Sequence, residues 1–357
     1  MSMLGLLSFE EAYFERIWGG DKLRTLYGKD IPQDKPIGEA WLIVDHHVHE
    51  SAVAEGPHQG KTLRQLIEDD AQALLGTRAQ LTMHGRFPLL LKILDARDVL
   101  SVQVHPDDAC AKALGEPDVG KTEMWHVLQA DPGSELICGL EPTVTADQFR
   151  KAVHDGSVET LMTRFKVSHG FSIFVGAGAV HAIGAGVVLA EIQQNSDLTY
   201  RIYDWGRVEA HGKPRSLHLD KAIRAIHFGA AGASLARPFE YAVANARCAI
   251  LAACPYFAAE LLTLKGTFRR HTRNESFHIL LGKSGDLMVR HGHDELTVRA
   301  AQAVLVPGSL DVFEVVGYGS FLDYYVPDLE RDIVTPLADA GHALSEVWSA
   351  YYSSFVS

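Results

Sequence analysis

The spacing of apolar and polar positions changes period several times along the chain. In Ser101-Val102-Gln103-Val104-His105 it alternates strictly. A strand there puts Ser101, Gln103 and His105 on one face and Val102 and Val104 on the other. A polar row on an apolar strand must be solvated, hydrogen-bonded or bound to something. Pro106 ends that strand, and a loop with a short helix over 107–116 leads to Glu123. Residues 87–95 form an almost continuous apolar run holding one cation, Lys92. This predicts a buried strand whose lysine snorkels or finds an anion. Residues 38–44 and 123–128 read as further strands. Residues 61–76 instead repeat Leu63, Leu66, Ile67, Leu74 and Leu75 at helical spacing and stop at Gly76. Thr145 caps a second helix that runs to Gly156, and residues 158–165 predict another helical turn or two.

From Phe171 the texture changes to short apolar segments punctuated by glycine: FSIFVGAG, AVHAIGAG, VVLAEIQQ, LTYRIYDW. This is the signature of antiparallel strands, not of alternating strand and helix. One more helix-like segment covers 217–228. Residues 229–238, GAAGASLARP, read as a linker, and strands resume beyond it to about Val326. Val304-Leu305-Val306-Pro307-Gly308-Ser309 resembles Ile173-Phe174-Val175-Gly176-Ala177-Gly178, which suggests two related β-barrels. The expected organisation is a catalytic domain over 1–230, with its helical segment around 145–165, and a second β domain over 239–335. A tail over 336–357, with Leu337, Ala340, Leu344, Val347 and Tyr351, reads as an amphipathic helix or a docked segment.

With 357 residues, 47% hydrophobic and 22% charged, the chain can build a substantial core of about two domains. The net charge of −12 argues against nucleic acid as a partner but not against a small anion, which responds to local charge. Cys110, Cys138, Cys248 and Cys254 form no C-x-x-C pair, so free thiols in a reducing cytoplasm are expected. The N-terminal segment carries acids by residue 10 and has no basic n-region, and no apolar run approaches the ~18 residues of a membrane helix. His46-His47-Val48-His49-Glu50 looks like a metal cluster, yet nothing near it completes a ligand set, and a turn is the simpler reading. Gln103, His105, Glu123 and His181 form a second candidate set of nitrogen and oxygen donors. Their spacing is wide, and a strand-end histidine or a satisfied core histidine remains an alternative for each imidazole.

The segments PLLLKILDARDVLSVQVHPDD, GKTEMW, GAVHAIGAG and AEIQQNSDLTYRIYDWGR, in that order, resemble the type I phosphomannose isomerase family, most closely its short bacterial branch. The resemblance implies a mainly β fold: two cupin-like antiparallel barrels of jelly-roll type with a small helical insertion, metal ligands in the first barrel only. It implies one Zn2+ per chain on Gln103, His105, Glu123 and His181, and a catalytic arginine at Arg201. It also implies isomerisation of mannose 6-phosphate and fructose 6-phosphate through a cis-enediolate by a cytoplasmic monomer or homodimer. Glu191, a lone acid in an apolar strand, and Lys121, two residues before Glu123, are candidates for moving the proton. Ser101 and Lys92 are candidates for holding the phosphate. Family members with a tyrosine two residues after the second histidine differ from this chain, which has Ile183. His126 and Trp18 read as structural. A cupin metal enzyme of another class, such as a dioxygenase, and a non-catalytic sugar-binding protein are the competing readings.

Overall fold

The computed structural model describes residues 4–208, 212–229, 234–235 and 238–351. The helix expected over 61–76 spans Leu63–Leu75, broken by a kink at Asp70, whose backbone is extended. Thr62 and Gln65 cap it reciprocally, and Leu63, Leu66, Ile67, Leu74 and Leu75 are its buried face. The helix Ala146–Asp155 starts from a second such box, Thr145 with Gln148, and ends at the left-handed Gly156. The segment after it differs from expectation. Val158–Leu161 is one 3-10 turn, and Met162–Lys166 is a strand that pairs with Glu135–Leu140. Alternate residues of Met162–Lys166 face solvent, so its pattern was that of a half-buried edge strand.

The fold is mainly β, with antiparallel pairing. Among the described residues the strands form three open sheets, not closed barrels. A five-stranded sheet runs, in spatial order, Tyr200–Tyr203, Val102–Val104, His181–Ile183, Glu135–Leu140 and Met162–Lys166. A seven-stranded sheet contains the neighbours Ser172–Val175, Glu123–Ala130, Val187–Gln194 and Leu89–Ala96. A nine-stranded sheet contains Ala303–Val306, His278–Ser284, Val312–Tyr325 and Ala258–His271. These last two quartets share both chain order and spatial order. The similarity between 173–178 and 304–309 is therefore the visible part of a four-strand repeat.

The chain gathers into two compact units. One holds the described residues of 13–40 and 92–235, the other those of 1–12, 41–91 and 236–357. The grouping is discontinuous, whereas a division at 230–239 runs simply along the chain. The Leu63–Leu75 helix joins the C-terminal strands because Phe277 N–H donates to Leu75 O and Thr77 N–H to Asn274 O. Most of the linker expected at 229–238 lies outside the described residues. So does the end of the tail, 352–357. The rest of the tail forms Thr335–Asp339 and Leu344–Tyr351, which bury Leu337, Val347 and Tyr351 against Ile250 and Tyr325.

Candidate metal centre and its surroundings

The five-stranded sheet aligns the first set of side chains by register. Gln103 sits directly opposite Arg201 on one side and His181 on the other. Directly opposite residues of antiparallel strands share a face, so Arg201, Gln103 and His181 form one row. His105, two residues beyond Gln103, joins that face. The neighbouring backbone fixes its place: Gly178 N–H donates to His105 O at 2.8 Å. Gly178 has φ +84, and a Cβ there would lie 2.6 Å from the His227 ring, so this turn needs glycine.

The seven-stranded sheet supplies the second set. Gln193 pairs with Glu123 and Glu191 with Trp125, which puts four polar-tipped side chains on one face. The loop before Glu123 is tied to the other sheet by Lys121 N–H donating to Pro106 O at 2.9 Å.

Across the two faces His105, Glu123 and His181 bring one ligand atom each within 4.8 Å of one another. All three are buried, at 1%, 1% and 0% exposure. His105 Nδ1 lies 2.7 Å from Leu198 O, and His181 Nδ1 lies 2.9 Å from Ala179 O. A carbonyl only accepts, so both protons sit on Nδ1 and both Nε2 lone pairs point inward. His105 Nε2 and Glu123 Oε1 are 3.3 Å apart, and Lys121 Nζ is 2.8 Å from the same oxygen. Neither atom of the first pair has a well-aligned hydrogen bond, although both are buried. A buried Nε2 lone pair without a donor is costly, and that lone pair and a carboxylate oxygen facing one point suit a cation. The Gln103 amide lies 3.3 Å from His181 Nε2, and a half-turn of that amide presents its oxygen instead. The donor set is nitrogen and oxygen. Cys138, opposite His181 in the sheet, is buried and its thiol is pushed up by desolvation, away from the thiolate.

Burial and Lys121 lower the His105 pKa to about 3 despite Glu123. His181 is lowered too, chiefly by burial. Both imidazoles are neutral at pH 7, the form that ligates metal. Burial would raise Glu123, but Lys121 and His105 outweigh it and hold the carboxyl well below its usual range. Burial pulls Lys121 down, and Glu123 and Glu191 pull it up harder, so among the protein groups it stays ammonium. Glu191 is raised, by burial and then by Glu123, against Lys92 and Lys121.

The remaining sequence candidates fall around this cluster. Lys92 Nζ lies 3.3 Å from Glu191 and donates to Gln193 Oε1 at 2.9 Å. The arginine Arg201 reaches Ser101 Oγ at 3.4 Å and Ser216 O at 3.2 Å. Asp204, three residues after Arg201, is held by Arg207 and Arg215. His126 bonds Ser172 Oγ at 2.8 Å on the opposite face, and Trp18 packs in the core beside Leu94 and Trp125. One residue escaped the sequence reading. Trp125 Nε1–H is shared between Glu123 Oε2 at 3.1 Å and Glu191 Oε2 at 3.0 Å, and its ring meets His181 edge-on. Its place two residues after Glu123 was the available signal, since i and i+2 share a strand face.

Residues 6–172 match the family model for the phosphomannose isomerase type I catalytic domain. The chain is 31% identical to a mannose-6-phosphate isomerase of Streptococcus mutans over 87% of this chain and 95% of that protein. It is 34% identical to the Bacillus subtilis mannose-6-phosphate isomerase ManA over 87% of this chain and 96% of that protein. A crystal structure of mannose 6-phosphate isomerase from Bacillus subtilis superposes with a TM-score of 0.81 at 29% identity, covering 90% of this chain and 99% of that one. A putative mannosephosphate isomerase from Archaeoglobus fulgidus shares the fold at a TM-score of 0.70 and 23% identity. With this buried His–Glu–His cluster, and with relatives that match nearly end to end, the chain belongs to the type I phosphomannose isomerase family.

Proposed function

We propose that this chain is a metal-dependent aldose–ketose isomerase that interconverts mannose 6-phosphate and fructose 6-phosphate. The observation that carries the reading is the convergence of two Nε2 lone pairs and a Glu123 oxygen on one buried point. His105, His181, Glu123 and Gln103 would hold Zn2+, which supplies a Lewis-acidic charge for sugar oxygens when bound. Arg201 shares the strand face of Gln103 and His181, and its guanidinium offsets the negative charge of the cis-enediolate. Glu191 takes the proton from C2 and returns it at C1, its raised pKa suiting a base. Lys121 stays protonated beside Glu123 and acts as a donor. Ser101, beside Arg201, is the better placed phosphate donor. Lys92 instead sets the position of Glu191 and Gln193. The two β units are cupin-like, and the enzyme works on a phosphosugar in the cytoplasm as a monomer or homodimer.

The test is a coupled assay on mannose 6-phosphate and fructose 6-phosphate, before chelation, after it and after zinc return. Activity should vanish and reappear with the metal. Zinc-loaded protein that isomerises neither sugar overturns the reading. A His181→Ala variant that keeps both zinc and full activity overturns the site. An oxygen-consuming reaction in its place would favour the dioxygenase alternative.

A further inference from the structure

The second unit has an interior polar cluster that the isomerase does not use, and the strand repeat places it at the counterpart of the metal centre. Val175 pairs with Glu123 in one copy, and Val306 pairs with His278 in the other. Glu123 pairs with Gln193, and Glu191 lies two residues before Gln193. His278 pairs with Tyr325, and Asp323 lies two residues before Tyr325. Glu123 thus corresponds to His278, and Glu191 to Asp323. Beside Asp323, on the adjoining strand, lies Glu260.

These groups are bonded to one another. The His278 Nδ1–H lies 2.9 and 3.0 Å from the two Asp323 oxygens. Arg270 donates to both Glu260 oxygens at 2.7 and 3.1 Å and reaches Asp323 at 3.3 Å. Tyr241 and Tyr325 hydroxyls also donate to Glu260. Glu260, Asp323 and His278 are 0%, 1% and 3% exposed. A buried charge network is no more stabilising than apolar packing of the same volume, so the core alone gives no reason for it.

A cleft of 440 Å³ opens over this floor, within the ~300–1,000 Å³ of small-molecule sites. Four arginines and two carboxylates line it. The carboxylates are engaged: Glu275 by Arg78 and Arg331, and Asp332 by Arg331. Arg273 is exposed at the rim and pairs with no carboxylate among the described residues. Arg273 and the next residue, Asn274, sit at φ 55 and 56, in the left-handed region, which is common for asparagine and uncommon for arginine. The other arginines are engaged as well, Arg269 by Glu314, Arg270 by Glu260 and Asp323, and Arg331 by Glu275 and Asp332. The positive charge left to a ligand is that of Arg273, while Val243 and Phe268 give an apolar wall suited to the C–H face of a sugar.

We propose that this cleft is a second binding site, for a small hydroxyl-rich anion of the phosphorylated-sugar class, held by Arg273 and His271 at the rim and His278 at the floor. Its ligand class rests partly on the isomerase reading, and the experiment separates the two. Sorbitol 6-phosphate and inorganic phosphate are titrated calorimetrically into zinc-loaded full-length protein, its Arg201→Ala variant, and an Arg273→Ala/His271→Ala variant altered only at exposed positions. Two sorbitol 6-phosphate sites are expected. Arg201→Ala weakens one, and the double variant weakens the other at least tenfold while leaving isomerase activity in place. A His278→Gln variant weakens the same second site. A single site abolished by Arg201→Ala overturns the proposal, as does a second site indifferent to the double variant. Inorganic phosphate binding there as tightly as sorbitol 6-phosphate overturns the sugar part. Loss of only the Arg201-sensitive event contradicts the isomerase site and leaves this one standing.

Discussion

Replacing Trp125 with Phe tests whether the shared indole N–H holds the metal centre. The substitution keeps an aromatic ring in the core and removes one donor that serves Glu123 Oε2 at 3.1 Å and Glu191 Oε2 at 3.0 Å. A hydrogen bond to a charged group contributes ~1.5–3 kcal/mol. Glu123 keeps Lys121 on its other oxygen, and Glu191 keeps Lys92, so neither carboxylate is stranded. They lose the group that stands between two negative charges. Loss of a partner behind a metal ligand typically weakens metal binding ~10–100-fold, about 1.4–2.8 kcal/mol, which agrees with the hydrogen-bond figure. We predict zinc affinity lowered within that range, measured by competition with a chromophoric chelator. The absorption bands of the cobalt-substituted protein should shift, because Glu123 is free to turn. Circular dichroism and a thermal melt establish that the variant is folded. A folded Trp125→Phe protein with zinc affinity within twofold of the parent and unchanged cobalt bands would refute the argument.

Two further outcomes follow from the same geometry. Glu191→Gln keeps the shape of the side chain and removes the carboxylate; kcat should fall ~100-fold or more with zinc content unchanged by elemental analysis, and an active, zinc-loaded variant would exclude Glu191 as the base. Glu275 is held at about 2 by hydrogen bonds from Arg331 and then Arg78, against partial burial. A depressed carboxyl stabilises the fold fully above its unfolded pKa of ~4.5 and loses that contribution as pH falls toward 2. Allowing for partial exposure, ~1–2 kcal/mol is at stake. Urea unfolding between pH 5 and 2 should therefore be steeper for the parent than for Glu275→Gln, and parallel curves would rule the ion pairs out as the cause.

Much of the site was legible because strands read in twos. The alternation at 101–105 fixed the face shared by Ser101, Gln103 and His105, and the register then set Arg201 and His181 beside Gln103. The helical face of Leu63–Leu75 was legible for the matching reason, its period of 3.6. Partners across strands were not legible. Lys92 was expected to snorkel, to find an unspecified anion or to hold a phosphate, and it meets Glu191, whose strand is adjacent in space and about 100 residues later. Trp125 was hidden because an indole in an apolar strand looks like packing until its N–H direction is known. Residues 41–91 gather with the C-terminal strands through backbone bonds such as Phe277 N–H to Leu75 O, which leave no trace in side-chain pattern.

The bond between Gln103 and His181 spans 78 positions of chain, and Arg201 comes later still. No fragment ending before residue 181 contains all four proposed metal donors. During synthesis at ~5–20 residues per second, a ribosome-bound chain passes several seconds with Gln103, His105 and Glu123 made but His181 absent. On the proposed ligand set metal capture is a late event, and stable zinc retention by nascent chains of graded length would mark when the two sheets have closed over each other.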